Sequence, residues 1–314
     1  MIVSKCPLRI SLFGGSTDSP AFIKKFESGR VISFTPNLYT YSSLHQDING
    51  FNQNQKKYIV SYSELECSER VFDLKNSVVR EFLLYFNIDP LKVSLNADIF
   101  SNGSGLASSS SYLLNLVSSY HLMTNGKVDL KSICKDAFEI ESRLNPLNGY
   151  QDTYGCPYGG IKLIEFFKGG SFNIRQLPDS IFNLFDFYLI YTGDKRFSSN
   201  ILKHYNIDKS YDLLLLTTQA VSAFEKEDYC QIFDLLNSSW IKKKNNNRYI
   251  LSNKNLKQID DNLEHDNAIL AHKLCGAGGG GYFLAISEKK SDISFENPYI
   301  KIKIDNKGIQ TKKI

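Results

Sequence analysis

The 314-residue sequence predicts an α+β protein of two lobes. Two observations carry that reading: strand patterns of period two alternate with helix patterns of period 3.6, and the succession starts afresh near residue 170. Residues 2–13 alternate, with Leu8, Ile10 and Leu12 on one face and Arg9 and Ser11 on the other. This half-buried strand runs into Gly14-Gly15-Ser16-Thr17-Asp18. Further strands are expected over 31–41 and 58–62, with the polar stretch 46–57 as a hairpin loop between them. A helix over 74–86 stops at Asn87 and Asp89-Pro90. A strand over 93–100 follows, then a helix carrying Leu113, Leu116, Val117, Tyr120 and Met123 at helical spacing. A helix over 129–144 is stopped by Asn145-Pro146, and a buried strand over 161–167 ends at a Gly169-Gly170 turn.

Beyond residue 172 the pattern restarts with a strand over 187–191 and helices over 211–224, 228–240 and 256–265. A glycine cluster at 276–281 leads into a strand over 282–286. Ile300, Ile302 and Ile304 alternate with Lys301 and Lys303, the pattern of an edge strand guarded by lysine. The expected domains are 1–170 and 171–314.

Composition narrows the function. Hydrophobic residues make up 42% and charged residues 22%, which suits a well-cored chain and excludes disorder as its main state. Thirty-seven Lys and Arg against 33 Asp and Glu leave +4, too little to imply a nucleic-acid partner. No apolar run approaches the roughly 18 residues of a membrane span. The start lacks the regions of a signal peptide, so a cytoplasmic location with no membrane partner is expected. Six scattered cysteines, without CxxC or a histidine at metal spacing, read as free thiols.

Three segments carry chemistry. In 98–111, glycines and a block of serines join a strand to a helix. Glycine lets backbone approach an anion closely, and the helix start offers unpaired N–H groups and positive dipole charge. It is no Walker A loop, because no GKS or GKT follows. The plainer alternative is a flexible loop whose serines cap the helix, although four serines cannot all be caps. The run 276–281 formally contains GxGxxG, but helix-like residues precede it and a strand follows, so the dinucleotide reading fails. It remains open between a structural turn and a backbone surface against a nucleotide or the first glycine loop. Between these segments lie Glu141 and Asp152, carboxylates suited to magnesium ligation and activation of a nucleophile. The alternatives are a solvated helix face for Glu141 and a helix cap for Asp152.

The ordered set resembles the GHMP kinases, the superfamily of galactokinase, homoserine kinase, mevalonate kinase and phosphomevalonate kinase. Its three motifs appear in order at 7–15, 103–111 and 274–281. Gly14-Gly15-Ser16-Thr17-Asp18 and the segment 149–155 look most like the sugar-1-kinase branch, which includes heptose 7-phosphate kinase and fucokinase. The resemblance implies a ribosomal-S5-domain-2-like N-terminal domain, a ferredoxin-like C-terminal domain, and ATP-dependent phosphorylation between them. It places Gly103, Ser104, Gly105, Leu106, Ala107, Ser108, Ser109 and Ser110 at ATP, and Ser109 with Glu141 at Mg²⁺. Asp152 becomes the base for the substrate hydroxyl, with Arg9 as the cation beside it. Gly15, Ser16, Thr17 and Asp18 are placed at the sugar. Gly276, Gly278 and Gly279 are placed on the substrate side of the cleft, packed against the phosphate loop or nucleotide. Ala107 replaces the family's usual glycine, and no proline precedes the second motif.

The resemblance further implies phosphorylation of the anomeric hydroxyl of D-glycero-α-D-manno-heptose 7-phosphate, on the way to a GDP-heptose for surface polysaccharide. Arg196 is the expected ligand of the sugar's phosphate, with Lys195 and Arg143 weaker candidates. A fucokinase-like enzyme of a neutral sugar and a non-catalytic sensor of sugar and ATP are the alternatives, and a monomer or homodimer is expected. An acyl hydrolase is set aside because no GxSxG elbow is present.

Overall fold

The computed structural model describes residues 1–46, 57–100, 103–194, 206–291 and 293–314. Nearly all of the expected hairpin loop over 46–57 lies outside the described residues. Two expected strands are each broken in the middle. Residues 2–13 form β1 (Ile2–Pro7) and β2 (Ile10–Phe13), and 31–41 fall into β3 (Ser28–Phe34) and β4 (Tyr39–His45). Pro7 and Pro36 mark the breaks, since a residue without N–H cannot carry the ladder onward. The halves then separate into different sheets, with β1 paired to β4 and β2 paired to β3. Leu8 N–H donates to the Leu38 carbonyl at 2.8 Å where the two chains cross.

The first sheet has the order β14-β1-β4-β7-β5-β6, using β5 (Tyr58–Ser61), β6 (Leu65–Ser68), β7 (Lys92–Ala97) and β14 (Gln310–Lys313). Its strands are antiparallel except for the parallel β5–β7 pair. One face is covered by α2 (Ser77–Tyr85), α3 (Ser108–Asn125) and α4 (Leu130–Leu144), which bury Val79, Phe82, Leu113, Val117 and Ile133. The second sheet, β2-β3-β8-β9, adds β8 (Ile161–Phe167) and β9 (Phe172–Leu177). The third is β11-β12-β10-β13, from β10 (Phe185–Tyr191), β11 (Ile269–Leu274), β12 (Tyr282–Glu288) and β13 (Tyr299–Ile302).

After the short helix α6 (Ile181–Leu184) ahead of β10, three long helices, α7 (Tyr211–Glu225), α8 (Tyr229–Asn246) and α9 (Lys254–His265), lie between β10 and β11 in sequence. The strand–helix–strand–strand–strand order suits the ferredoxin-like expectation, with no helix between β12 and β13 among the described residues. The α+β class is as the sequence predicts. The Gly169-Gly170 turn, the expected boundary, joins β8 to β9 within one sheet. That sheet shares a core with the third sheet through Phe13, Phe34, Phe187, Leu189 and Phe224. Strand β14 returns to pair with β1. As the lysine alternation predicts, β13 is an edge strand, with Lys301 donating to Asp186 at 2.6 Å. All six cysteines are free thiols, and no described helix is long and apolar enough to cross a membrane.

Helix ends follow local chemistry. Ser19 caps α1 (Pro20–Phe26), Asn76 caps α2, Asp129 caps α4, Asp228 caps α8 and Asn253 caps α9, each accepting a first-turn N–H. Helix α3 differs: its N-cap is Ala107 at φ +62°, with no side-chain cap.

One buried carboxylate locks the helices onto the third sheet. Asp260 of α9 accepts from the Trp240 indole at 2.7 Å, the Lys244 ammonium at 2.7 Å and His272 Nε2 at 3.0 Å. Burial opposes its charge, but these three donors hold its pKa below the ordinary 3.8. A carboxyl held low binds fewer protons when folded, so its stabilisation is present at neutral pH and lost as pH falls through the folded-state value. Asp260→Ala is expected to cost about 3 kcal/mol at pH 7 in urea unfolding, because Trp240, Lys244 and His272 are left without their acceptor. The gap to the native protein should narrow below pH 3.8.

Candidate functional site

A cleft of about 840 Å³ opens between the first sheet with its helices and the C-terminal helices. The second motif forms one wall. Gly103, Gly105 and Ala107 all have positive φ, at +72°, +83° and +62°. That curls the loop so that α3 points its N-terminus into the cleft. For Ala107 the left-handed conformation costs on the order of 1 kcal/mol that glycine would avoid. With no capping side chain, the first-turn N–H groups of α3 are left for an anion.

Each serine of the run has its own role, and none caps α3. Ser104 accepts from Leu106 N–H at 3.2 Å and meets Ser108 at 2.9 Å. Ser110 donates to Glu141 Oε1 at 2.6 Å, and Ser111 meets the Thr40 hydroxyl at 2.7 Å. Ser109 is exposed to the cleft. Leu106 is buried in the core beneath the loop rather than lining it.

Arg9 and Asp152 meet as expected. Arg9 Nε and Nη2 both donate to Asp152 Oδ1, at 2.9 and 2.6 Å, so Arg9 does not take Oδ2, and Asp152 lines the cleft. Nη1 donates to the Gly105 carbonyl at 2.9 Å, and Arg9 N–H to the Leu106 carbonyl at 3.1 Å. Burial works against the guanidinium charge, but Asp152 outweighs it and raises the Arg9 pKa. Asp152 lies in the short helix α5 (Gln151–Gly155), where the chain restarts after the Asn145-Pro146 stop. Glu141, near the end of α4, is half-buried. Burial first, then the Asp152 charge, pushes its pKa up to about 7, with Ser110 and Asn148 working the other way. Glu141 Oε2 is buried with no hydrogen-bond partner among the described residues.

The loop at 14–18 supplies the third wall. A Cβ at Gly14 would lie 1.9 Å from the Arg30 carbonyl oxygen, so only glycine fits there. Gly15, Ser16 and Asp18 line the cleft, whereas Thr17 does not. The Thr17 hydroxyl faces inward, donating to the Gly14 and Arg30 carbonyls at 2.8 Å each. Asp18 is almost fully buried. Its Oδ1 accepts Ser16 N–H and its Oδ2 accepts Gln151 N–H, both at 3.0 Å. Burial raises its pKa to about 6 against those two bonds. Asp18 therefore clamps the loop to α5 as well as facing the cleft.

The third motif meets the phosphate loop at a residue the sequence reading did not single out. A Cβ at Gly281 would fall 2.2 Å from the Ser104 carbonyl oxygen. Gly276 lines the cleft, but Gly278 packs on Ile250 and Gly279 N–H donates to the Ile250 carbonyl at 2.8 Å. Gly278 and Gly279 do not reach the cleft wall. Arg196 and Lys195 lie outside the described residues, and the Arg143 guanidinium stacks over the Tyr85 ring at 4.8 Å.

Two cleft lysines escaped the sequence reading. Lys273 of β11 is buried and donates to the Leu12 carbonyl at 2.7 Å, with its pKa lowered to about 8 by burial. Lys243 of α8 donates to the Gly276 carbonyl. A lysine inside the apolar run 269–274 was the available signal for the first. No sequence signal marks the second.

The Gly281–Ser104 contact gives a direct test. Gly281→Ala should force the phosphate loop outward and weaken ATP binding about tenfold or more in calorimetry. Gly126→Ala, at the far end of α3 where a Cβ meets nothing within 4 Å, should leave ATP affinity unchanged.

No family model matches the chain. D-glycero-alpha-D-manno-heptose 7-phosphate kinase of Campylobacter jejuni is 28% identical over 301 residues, covering 90% of this chain and 88% of that protein. L-fucokinase/L-fucose-1-P guanylyltransferase of Bacteroides fragilis is 22% identical over 92% of this chain, which spans only 35% of that longer protein. The crystal structure of a D-glycero-D-manno-heptose 1-phosphate kinase from Bacteroides thetaiotaomicron has a TM-score of 0.79 at 18% identity, covering 100% of this chain and 99% of that one. Galactokinase of Lactococcus lactis, complexed with galactose, has a TM-score of 0.77 at 15% identity, covering 98% and 95%. With three ordered motifs and this architecture, the chain has the two-domain fold of the GHMP kinases and is similar along 90% of its length to a phosphotransferase acting on an alcohol group.

Proposed function

We propose that the protein transfers the γ-phosphoryl group of ATP to the anomeric hydroxyl of D-glycero-α-D-manno-heptose 7-phosphate, giving the 1,7-bisphosphate and ADP. The observation that carries this is the Asp152 carboxylate, pinned through Oδ1 by buried Arg9 beside an uncapped helix N-terminus. Asp152 Oδ2 accepts the proton of the acceptor hydroxyl, or orients it, while the sugar oxygen attacks the γ-phosphorus. The first-turn N–H groups of α3 take the negative charge of the nucleotide phosphates. Arg9 holds Asp152 in place and adds positive charge near the transferred group.

The donor set around Glu141 fits a hard cation. It consists of carboxylate and hydroxyl oxygens, and Glu141 Oε2 is a buried atom lacking a partner. Glu141 and Ser109 would hold Mg²⁺, with Ser110 orienting Glu141 through its 2.6 Å bond. Bound Mg²⁺ supplies screening of the phosphate charge.

Similarity to the Campylobacter jejuni enzyme over 90% of this chain supports the heptose phosphate, and the presence of Lys243 and Lys273 among the cleft residues is in keeping with a phosphorylated sugar. Similarity to the Bacteroides fragilis fucokinase favours a neutral sugar as the second reading. A non-catalytic sensor would have no need of Asp152 with its guanidinium partner. A cytoplasmic location, a monomeric or homodimeric state and a place in GDP-heptose supply to surface polysaccharide belong to the same proposal.

The test is ADP release with ATP and Mg²⁺ over heptose 7-phosphate, free heptose, hexose 6-phosphates and L-fucose. Turnover of a free sugar well above heptose 7-phosphate overturns the substrate. Asp152→Asn should lower kcat by on the order of 10²–10⁴ while ATP binding stays near native. Near-native turnover in that variant removes Asp152 from the reaction.

A further inference from the structure

Eight buried side-chain polar atoms lack a hydrogen-bond partner among the described residues. Four of them, on Ser11, Glu141, Asn148 and Gln151, belong to residues that line the one cleft. Native proteins leave few such atoms unpaired, because a buried polar group without a partner costs its full desolvation. A group of them in a cleft therefore marks where a polar ligand completes the bonds. Glu141, with the Asn148 amide acting on its charge, belongs to the metal end already assigned. Ser11 Oγ and Gln151 Oε1 remain unexplained.

These two groups lie together. A Cβ built at Gly15 would sit 3.6 Å from Ser11 Oγ and 3.8 Å from both terminal atoms of the Gln151 carboxamide. The missing side chain at Gly15 thus leaves an open space walled by one hydroxyl and one amide. Ser11 stands on β2 at a register shift between Ser11 and Phe13, a bulge of the kind that re-aims a side chain beside a site. Gln151 immediately precedes Asp152, and its backbone N–H is fixed on Asp18 Oδ2 at 3.0 Å. Asp18 has already committed each oxygen to a backbone N–H, whereas Ser11 Oγ and Gln151 Oε1 have no partner among the described residues.

The chemistry selects the ligand group. Gln151 Oε1 only accepts, while the Ser11 hydroxyl both donates and accepts. A hydroxyl satisfies both at once, donating to Gln151 and accepting from Ser11, which neither an ether oxygen nor a phosphate oxygen can do. We propose that Ser11 and Gln151 form a subsite that reads one non-reacting hydroxyl of the acceptor sugar and sets specificity at that carbon. This rests on the sugar-kinase reading above and adds two residues to it.

A panel of monodeoxy sugars tests the pair. The parent is whichever of heptose 7-phosphate and L-fucose the native protein turns over. Native kcat/KM should fall about 10- to 100-fold for one monodeoxy form, because a site built around a hydroxyl penalises its loss. Gln151→Leu and Ser11→Ala should lose a similar factor on the parent and show little further penalty on that deoxy form. ATP affinity measured by calorimetry should stay native in both variants. Equal losses on the parent and on every deoxy form would make the pair a support for Asp152 and overturn the subsite. Calorimetric binding of the same sugars separates the two claims. Sugar binding with this deoxy pattern but without phosphoryl transfer sinks the kinase reading and keeps the subsite. Transfer with a flat deoxy profile sinks the subsite alone, and absence of any sugar binding sinks both.

Discussion

The buried guanidinium of Arg9 is the constraint on which the site depends. Its backbone and side chain reach Leu106 and Gly105 of the phosphate loop and Asp152 of α5, so one residue joins segments nearly 150 positions apart in sequence. An ionised guanidinium inside protein is costly unless every direction is answered, and here a carboxylate and a carbonyl answer it. The geometry is over-determined as a result. Moving Asp152 would strand the charge of Arg9, and moving the loop would strand Nη1. The site is thus held by the cost of leaving a charge unpaired, and not by packing alone.

Around that fixed point the cleft gathers charged and polar groups. Asp18, Glu141, Asp152, the first serines of α3 and two lysines all line it, and Ser110 of α3 donates to Glu141. Burial raises the Glu141 and Asp18 pKa values to about 7 and about 6, with the charge of Asp152 adding to both. Such raised carboxyls are tolerable in a site where a cation or donor-rich ligand is the missing partner. The same logic explains α3, whose buried face is rich in serine and asparagine. Ser111 and Asn115 bond Thr40 of β4, so the helix lies close to the sheet with its polar atoms paired.

Much of the fold was legible locally. Strand β8 at Ile161–Phe167 follows from its continuous apolar character, the edge strand at Tyr299–Ile302 from Ile–Lys alternation, and α4 from the Asn145-Pro146 stop. The breaks at Pro7 and Pro36 were misread because alternation continues across them while the strands change sheet. Strands β9, β11 and β14 were missed for a related reason. Strands β9 and β14 are largely polar, the apolar run of β11 is interrupted by His272 and Lys273, and the partner strand decides their pairing.

The sequence by itself determined the chemistry. The order of three motifs, the 11-residue spacing of Glu141 and Asp152, and the glycine-rich turn into α3 are properties of the chain read along its length. Only the tertiary structure decided which groups are spent and which remain available. Thr17, Gly278 and Gly279 carry motif identities yet use their polar groups or backbone internally. Ser110 takes the bond to Glu141, while Ser109 stays exposed. Lys273 and Ser11 become cleft residues because β11 and β2, strands of different sheets, meet at the shared core, where Lys273 donates to the Leu12 carbonyl. The physical reason is that a hydrogen-bonding group's role depends on what else competes for it. That competition exists only once distant segments are packed together.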